Sequence, residues 1–182
     1  MPTIEGYVIV SANGMLADST GVMPQSLKFP PDQAFFQSAL DAADVIVHGQ
    51  HSHEDQPRSP QRRRIVLTRR IASLEPTTQW PHATLWNPEG ASFEEACKQA
   101  GAGASAKVAV IGGPVVYALF LDRYDAFWLS QAHDVSIADG LGVFPDVPRM
   151  TPQTILAQHG MTGAERRVLD AARHVDLVAW RR

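Results

Sequence analysis

Short apolar runs and stretches of helical period alternate along most of the chain. Residues 4–10 form a β-rich run that ends in Ser11-Ala12-Asn13-Gly14, where Asn-Gly predicts a turn. Residues 45–47 and 108–111 are short and wholly apolar, the pattern of strands covered on both faces. Residues 64–68, 83–86, 126–131, 153–158 and 175–180 read as further strands. Pro30-Pro31 opens a helix whose buried stripe is Ala34, Phe35, Ala39, Leu40 and Ala43. Ser92 and Glu95 have capping-box spacing ahead of a helix with Phe93, Ala96, Cys97 and Ala100 on its apolar side. Pro114 opens a third helix, with Val115, Val116, Leu119 and Phe120 at helical spacing. Residues 15–28 lack a period and read as a long loop. Thr162 and Glu165 repeat the capping-box spacing, which leaves 163–172 as a short helix or a loop. Strand-helix-strand early and strand-strand late predict an α/β fold: a mostly parallel sheet with an antiparallel C-terminal edge and helices on both faces.

Composition narrows the class. At 182 residues, 45% of them apolar and 19% charged, the chain fits a single globular domain over 1–182. A net charge of −3 gives no general affinity for nucleic acid, and the basic stretch 58–70 lacks interleaved aromatics. No apolar run spans a bilayer, and the N-terminus lacks a secretory pattern. The single cysteine, Cys97, excludes an internal disulfide and fits a reducing compartment. The expectation is a cytoplasmic protein with a small-molecule substrate and neither nucleic-acid nor membrane partners.

The candidate chemistry gathers at strand ends. The 108–111 run stops at Gly112-Gly113, and Pro114 then starts a helix. Such a junction offers free N–H groups to an anion, and glycines let a pyrophosphate approach the backbone. Gly49, Gln50, His51, Ser52, His53 and Glu54 form a second strand-to-helix junction. The glycines of 101–106 lack the spacing and lysine of a P-loop. His48, His51, His53, Glu54 and Asp55 are close in sequence but do not share one helical face, so no metal site is expected.

Order and spacing resemble the dihydrofolate reductase superfamily, which includes the reductase domain of riboflavin biosynthesis. The resemblance runs nearly end to end. It is carried by Met23-Pro24, by residues 29–36, 45–52 and 62–68, by Val110-Ile111-Gly112-Gly113-Pro114-Val115-Val116-Tyr117, and by Val143-Phe144-Pro145-Asp146. It implies an eight-stranded sheet, NADPH as cofactor, and hydride transfer to a C=N bond, or a ring-opened imine or sugar, of a pterin or ribosylaminopyrimidine. Asp32 matches the family's buried carboxylate, which binds ring nitrogens and supports their protonation. Ala12, Gly49, Gln50, His51, Ser52, Thr68, Arg69, Arg70, Ile111, Gly112, Gly113, Pro114, Val115, Val116 and Tyr117 are then the cofactor residues. Arg69 and Arg70 would grip a 2′-phosphate. Val8, Asp32, Phe35, Phe36 and Arg62 are the acceptor residues, Arg62 matching the arginine that pairs the glutamate tail of folate.

The departures turn the reading away from ordinary folate reduction. Leu27 replaces a tryptophan near the carboxylate, Gly142 a threonine that supports it, and Gln50 an arginine on the cofactor. Residues 11–17 are more similar to the riboflavin-pathway reductases, with Asn13 where they often have aspartate. No zinc motif is present, so a free-standing reductase domain is expected, as monomer or homodimer. The alternative is a nucleotide-binding relative of the same fold without turnover.

Overall fold

The computed structural model describes residues 1–52 and 56–182. Its strands are β1 (Thr3–Ser11), β2 (Met15–Ala17), β3 (Val45–Gly49), β4 (Arg64–Leu67), β5 (Leu74–Pro76), β6 (Ala83–Trp86), β7 (Lys107–Val110), β8 (Ala126–Ala132), β9 (Leu141–Gly142), β10 (Thr162–Gly163), β11 (Arg167–Asp170) and β12 (Val175–Arg181). The helices are α1 (Pro30–Ala42), α2 (Phe93–Gln99), α3 (Pro114–Leu119) and α4 (Pro152–Gln158), with 3-10 turns at Gln25–Leu27 and Ser59–Gln61. The main sheet runs β10-β12-β8-β1-β7-β3-β4-β6-β5, and β11 also pairs with β12. Pairing is parallel from β8 through β6. It turns antiparallel at β12 and beyond on one side and at β5 on the other. Among the described residues, the short pieces β5 and β10 take the sheet beyond eight strands, to ten. No helix among the described residues is long and apolar enough to cross a membrane.

The sheet divides two apolar layers. On one side Tyr7, Ile46 and Ala109 meet Leu40, with Phe35, Phe36 and Ala39 of α1 packed against them. The larger core holds Trp86, Phe93, Phe120, Tyr124, Phe127 and Phe144. Cys97 lies in it, and burial pushes its thiol up to about 11. Close packing shapes β1: a Cβ on Gly6 would lie 2.4 Å from the Phe127 ring. The capping box opens α2 as expected, with Ser92 and Glu95 bonding reciprocally.

Several elements depart from the sequence reading. Residues 153–158 are helical, not a strand. Pro152 occupies the first turn, the Thr151 side chain accepts from the Thr154 N–H, and Ile155 and Leu156 face the core. Residues 162–172 hold β10 and β11 rather than a helix, because β12 pairs with both. The 15–28 loop contains β2, which pairs with β9. In α1 the buried stripe is phased on Asp32, so Ala34 is exposed. In α3, Val116 and Tyr117 face inward while Val115 and Leu119 lie outside. Residues 49–52 make a turn, the Ser52 N–H donating to the Gly49 carbonyl at 3.0 Å. His53, Glu54 and Asp55 lie outside the described residues.

Candidate active site

A cleft of about 1120 Å³ opens where the parallel strands end. Val8 and Ile9, Gly49, Leu67 and Thr68, Ile111 and Gly112, and Ser130 reach it from β1, β3, β4, β7 and β8 or just beyond them. Carboxyl ends of parallel strands are where open α/β sheets place ligands, because loops there splay around an unfilled crevice. The cleft also joins the two features the sequence singled out, Asp32 and Gly112-Gly113.

Asp32 enters from the first turn of α1, behind Pro30 and Pro31. It is 8% exposed, and burial raises its carboxyl above the usual carboxylate range, against the opposing hydrogen bond from Ser130. Ser130 corrects one expectation. The hydroxyl that Gly142 lacks is supplied from β8. Gly142 lies outside the lining residues of the cleft, and a Cβ there would strike Val147. Tyr117 closes the wall behind Asp32. Burial, and then the Asp32 charge, hold its phenol far above the ordinary value. Its O–H donates to the Tyr7 carbonyl at 2.6 Å, so it stays neutral and anchors α3 to β1.

The other limb is backbone. The Gly112-Gly113 peptide is cis, and the Gly112 carbonyl accepts from the Gly49 N–H at 2.8 Å. That bond holds the two expected junctions side by side. A Cβ added to Gly113 would meet nothing within 4 Å. The Thr68 hydroxyl donates to the Gln50 side chain at 2.7 Å and accepts from the Arg70 N–H at 3.2 Å. This fixes the loop after β4 against the turn after β3.

Most of the expected residues are brought together. Gly49, Gln50, His51, Ser52, Thr68, Arg69, Ile111, Gly112, Gly113, Pro114, Val115, Val116 and Tyr117 line the cleft, as do Val8, Asp32, Phe35 and Phe36. Ala12, Arg70 and Arg62 do not. Ala12 instead donates its N–H to the Val135 carbonyl at 2.7 Å. The Arg70 side chain is exposed, and Arg69 lies 4.0 Å from Glu89. Arg62 lies behind the wall, its Nη2 donating to Asp41 at 2.7 Å and to Gln37 at 3.1 Å. Asn13 is structural too, bonded both ways to the Ile137 backbone.

Sequence reasoning missed Ser130, Tyr7 and Trp128. Tyr7 and Trp128 are register partners on β1 and β8, their rings parallel with centroids 6.4 Å apart. The Tyr7 hydroxyl and Trp128 Nε1 both donate to Glu5. A lone hydroxyl in the apolar 126–132 strand was the available signal for Ser130.

A family model described as dihydrofolate reductase matches residues 7–168. The chain belongs to the dihydrofolate reductase family. Among solved structures, this family member is similar to a candidate riboflavin biosynthesis protein of Shewanella sp. PV-4. That pair has a TM-score of 0.69 at 16% identity, covering 99% of this chain and 98% of the other. It is similar to the dihydrofolate reductase of Enterococcus faecalis complexed with NADP(H) and RAB-propyl, with a TM-score of 0.64 at 20% identity, covering 99% and 96%. A third likeness is the Thermotoga maritima diaminohydroxyphosphoribosylaminopyrimidine deaminase/5-amino-6-(5-phosphoribosylamino)uracil reductase, with a TM-score of 0.63 at 16% identity. The present dihydrofolate reductase relative is covered over 99% of its length there and spans 56% of the other chain. No curated protein matches it. At these identities the likenesses establish the fold.

Proposed function

We propose that the protein is an NADPH-dependent reductase that transfers a hydride to a C=N bond, or a ring-opened imine or sugar, of a pterin or ribosylaminopyrimidine-type substrate. The observation that carries this reading is one cleft uniting a buried acid with an open glycine turn. The residues fit the cofactor. A Cβ on Gly113 would meet no atom within 4 Å, so the turn is open to the approach of a pyrophosphate. The cleft exceeds the ~300–1,000 Å³ usual for one small ligand, leaving room for a dinucleotide and an acceptor. Gly49, Gln50, Thr68 and the turn from Gly112 to Val115 would hold the dinucleotide, with Arg69 at its outer end. Bound there, NADPH supplies the hydride.

The chain's own groups manage the proton. Reduction of C=N adds a hydride to carbon and a proton to nitrogen. Asp32 faces the acceptor end, where it accepts bonds from ring N–H groups. Its burial favours the protonated carboxyl, so it can hold the proton that the nitrogen takes up. Leu27 and Phe36 line the cleft together with Asp32 and would keep water from the reacting atoms.

A screen of NADPH oxidation against dihydrofolate, other pterins and ribosylaminopyrimidines tests the reading. Oxidation by one of these classes is expected. NADPH binding without oxidation by any of them would leave a nucleotide-binding relative instead. The pH profile makes a second test. The rate falls as pH rises through the raised Asp32 value, since the proton is then lost. In Ser130→Ala the bond favouring the ionised form is gone, so Asp32 rises further and this limb moves to higher pH. A limb that stays put or moves to lower pH would remove Ser130 from the proton's control.

A further inference from the structure

Arg62 is the cation that the fold withholds from the acceptor. Its side chain is 10% exposed, whereas that of Asp41, on the outer side of α1, is 40% exposed. Nη2 is spent on Asp41 and Gln37, and Arg58 also reaches Asp41, at 3.2 Å. Among the described residues, the enclosed Nε and Nη1 of Arg62 have no hydrogen-bond acceptor. Gln37 also donates to the Gln56 side chain, and Gln56 is on the cleft wall. Arg62 is therefore outside the cleft lining, linked to it through Gln37 and Gln56, with its charge matched by Asp41. The buried titratable group facing the acceptor is Asp32, whose burial favours the uncharged carboxyl, so no buried cation among the described residues of the cleft lining awaits an anionic tail.

We propose that the acceptor carries no carboxylate reaching the α1 side of the cleft, and that Asp41 sets this specificity by holding Arg62 behind Gln37 and Gln56. An anionic tail laid along α1 would meet the neutral amides of Gln33 and Gln56, which line the cleft, rather than the Arg62 guanidinium. It would also have to compete with a carboxylate already fixed in charge-assisted bonds at close range. An uncharged or compact substituent meets no such competition. The inference rests on the reading that the acceptor lies against Asp32.

Asp41→Ala tests it, with binding measured by calorimetry on the protein loaded with NADP⁺, which has no hydride to transfer. Two dihydropterins serve as probes: 7,8-dihydropterin without a tail, and dihydrofolate with a carboxylate tail. The native protein should bind the two within about threefold of each other. Asp41→Ala should bind dihydrofolate about tenfold more tightly, leave 7,8-dihydropterin within about twofold, and lose the gain when Arg62→Ala is added. A native preference of tenfold or more for dihydrofolate would overturn the proposal, as would an equal change for both probes. Asp41→Asn keeps an acceptor for Arg62 and so protects the fold, and should show a smaller gain of the same sign. p-Aminobenzoylglutamate, a carboxylate without a pterin, reads the gate alone. Tighter binding to Asp41→Ala than to the native protein supports the gate even if no pterin binds and the acceptor reading fails. Equal binding overturns it.

Discussion

Asp32→Asn should lose turnover by about 10²–10⁴-fold, the span of a positioned acid, while its NADPH affinity changes little. The two effects separate because Asp32 lies at the acceptor end, and the cofactor limb is built from backbone and from Thr68 and Gln50. Unchanged turnover would remove Asp32 from the mechanism. The same substitution should stabilise the fold at neutral and alkaline pH. Burial raises the folded-state value of Asp32 above its unfolded one. Its favourable contribution is therefore complete below the unfolded value and is lost as pH rises through the folded value. Asparagine carries no such cost. The melting temperature of Asp32→Asn should exceed the native one by more at pH 8 than at pH 5. An advantage that grows toward acid would mean that Asp32 is stabilised as the carboxylate in the folded protein.

Gly113→Val should weaken NADPH binding by about 100-fold, about 2.8 kcal/mol, with little change in denaturant midpoint. The backbone there is extended, at φ −79° and ψ −157°, with no positive φ, and the new side chain would point into open cleft. Its cost falls on whatever approaches the turn. Gly112 one residue earlier behaves oppositely. It has φ +114°, and a Cβ would sit 3.1 Å from the Tyr117 ring. Gly112→Ala should therefore lower stability before it affects the cofactor. Titration of NADPH and urea unfolding of both variants separate the two. Native NADPH affinity in Gly113→Val would mean that no pyrophosphate lies against that turn.

What the sequence disclosed was local. Residues 45–47 and 108–111 are apolar without interruption because neighbouring strands flank them and both faces are covered, a condition visible in any short window. Asp32 was legible because two prolines fix where α1 begins. What stayed hidden depends on pairing across distance. Ser130 reaches Asp32 because β8 lies beside β1, a neighbour set by parallel register. The guanidinium of Arg62 was read as facing a ligand, yet its counter-charge sits on α1, 21 residues earlier in the chain. The capping-box spacing at Thr162 and Glu165 was outweighed by pairing with β12. Residues 153–158 are too short for either period to decide, and Pro152 with the Thr151 cap settles them. Ala34 was placed inside because an alanine is the ordinary occupant of a buried stripe. In α1 that place goes to an acid, and the apolar phase shifts around it.

The enclosed position of Cys97 gives the protein a clock. The chain has one sulfhydryl, which sits on the buried face of α2 at 5% exposure and stays protonated well beyond neutral pH. An alkylating reagent has nothing to attack until that helix lifts from the sheet, and then consumes a single site per molecule. The rate of modification counts openings of this layer one by one, and ligands that tighten the domain should slow the count.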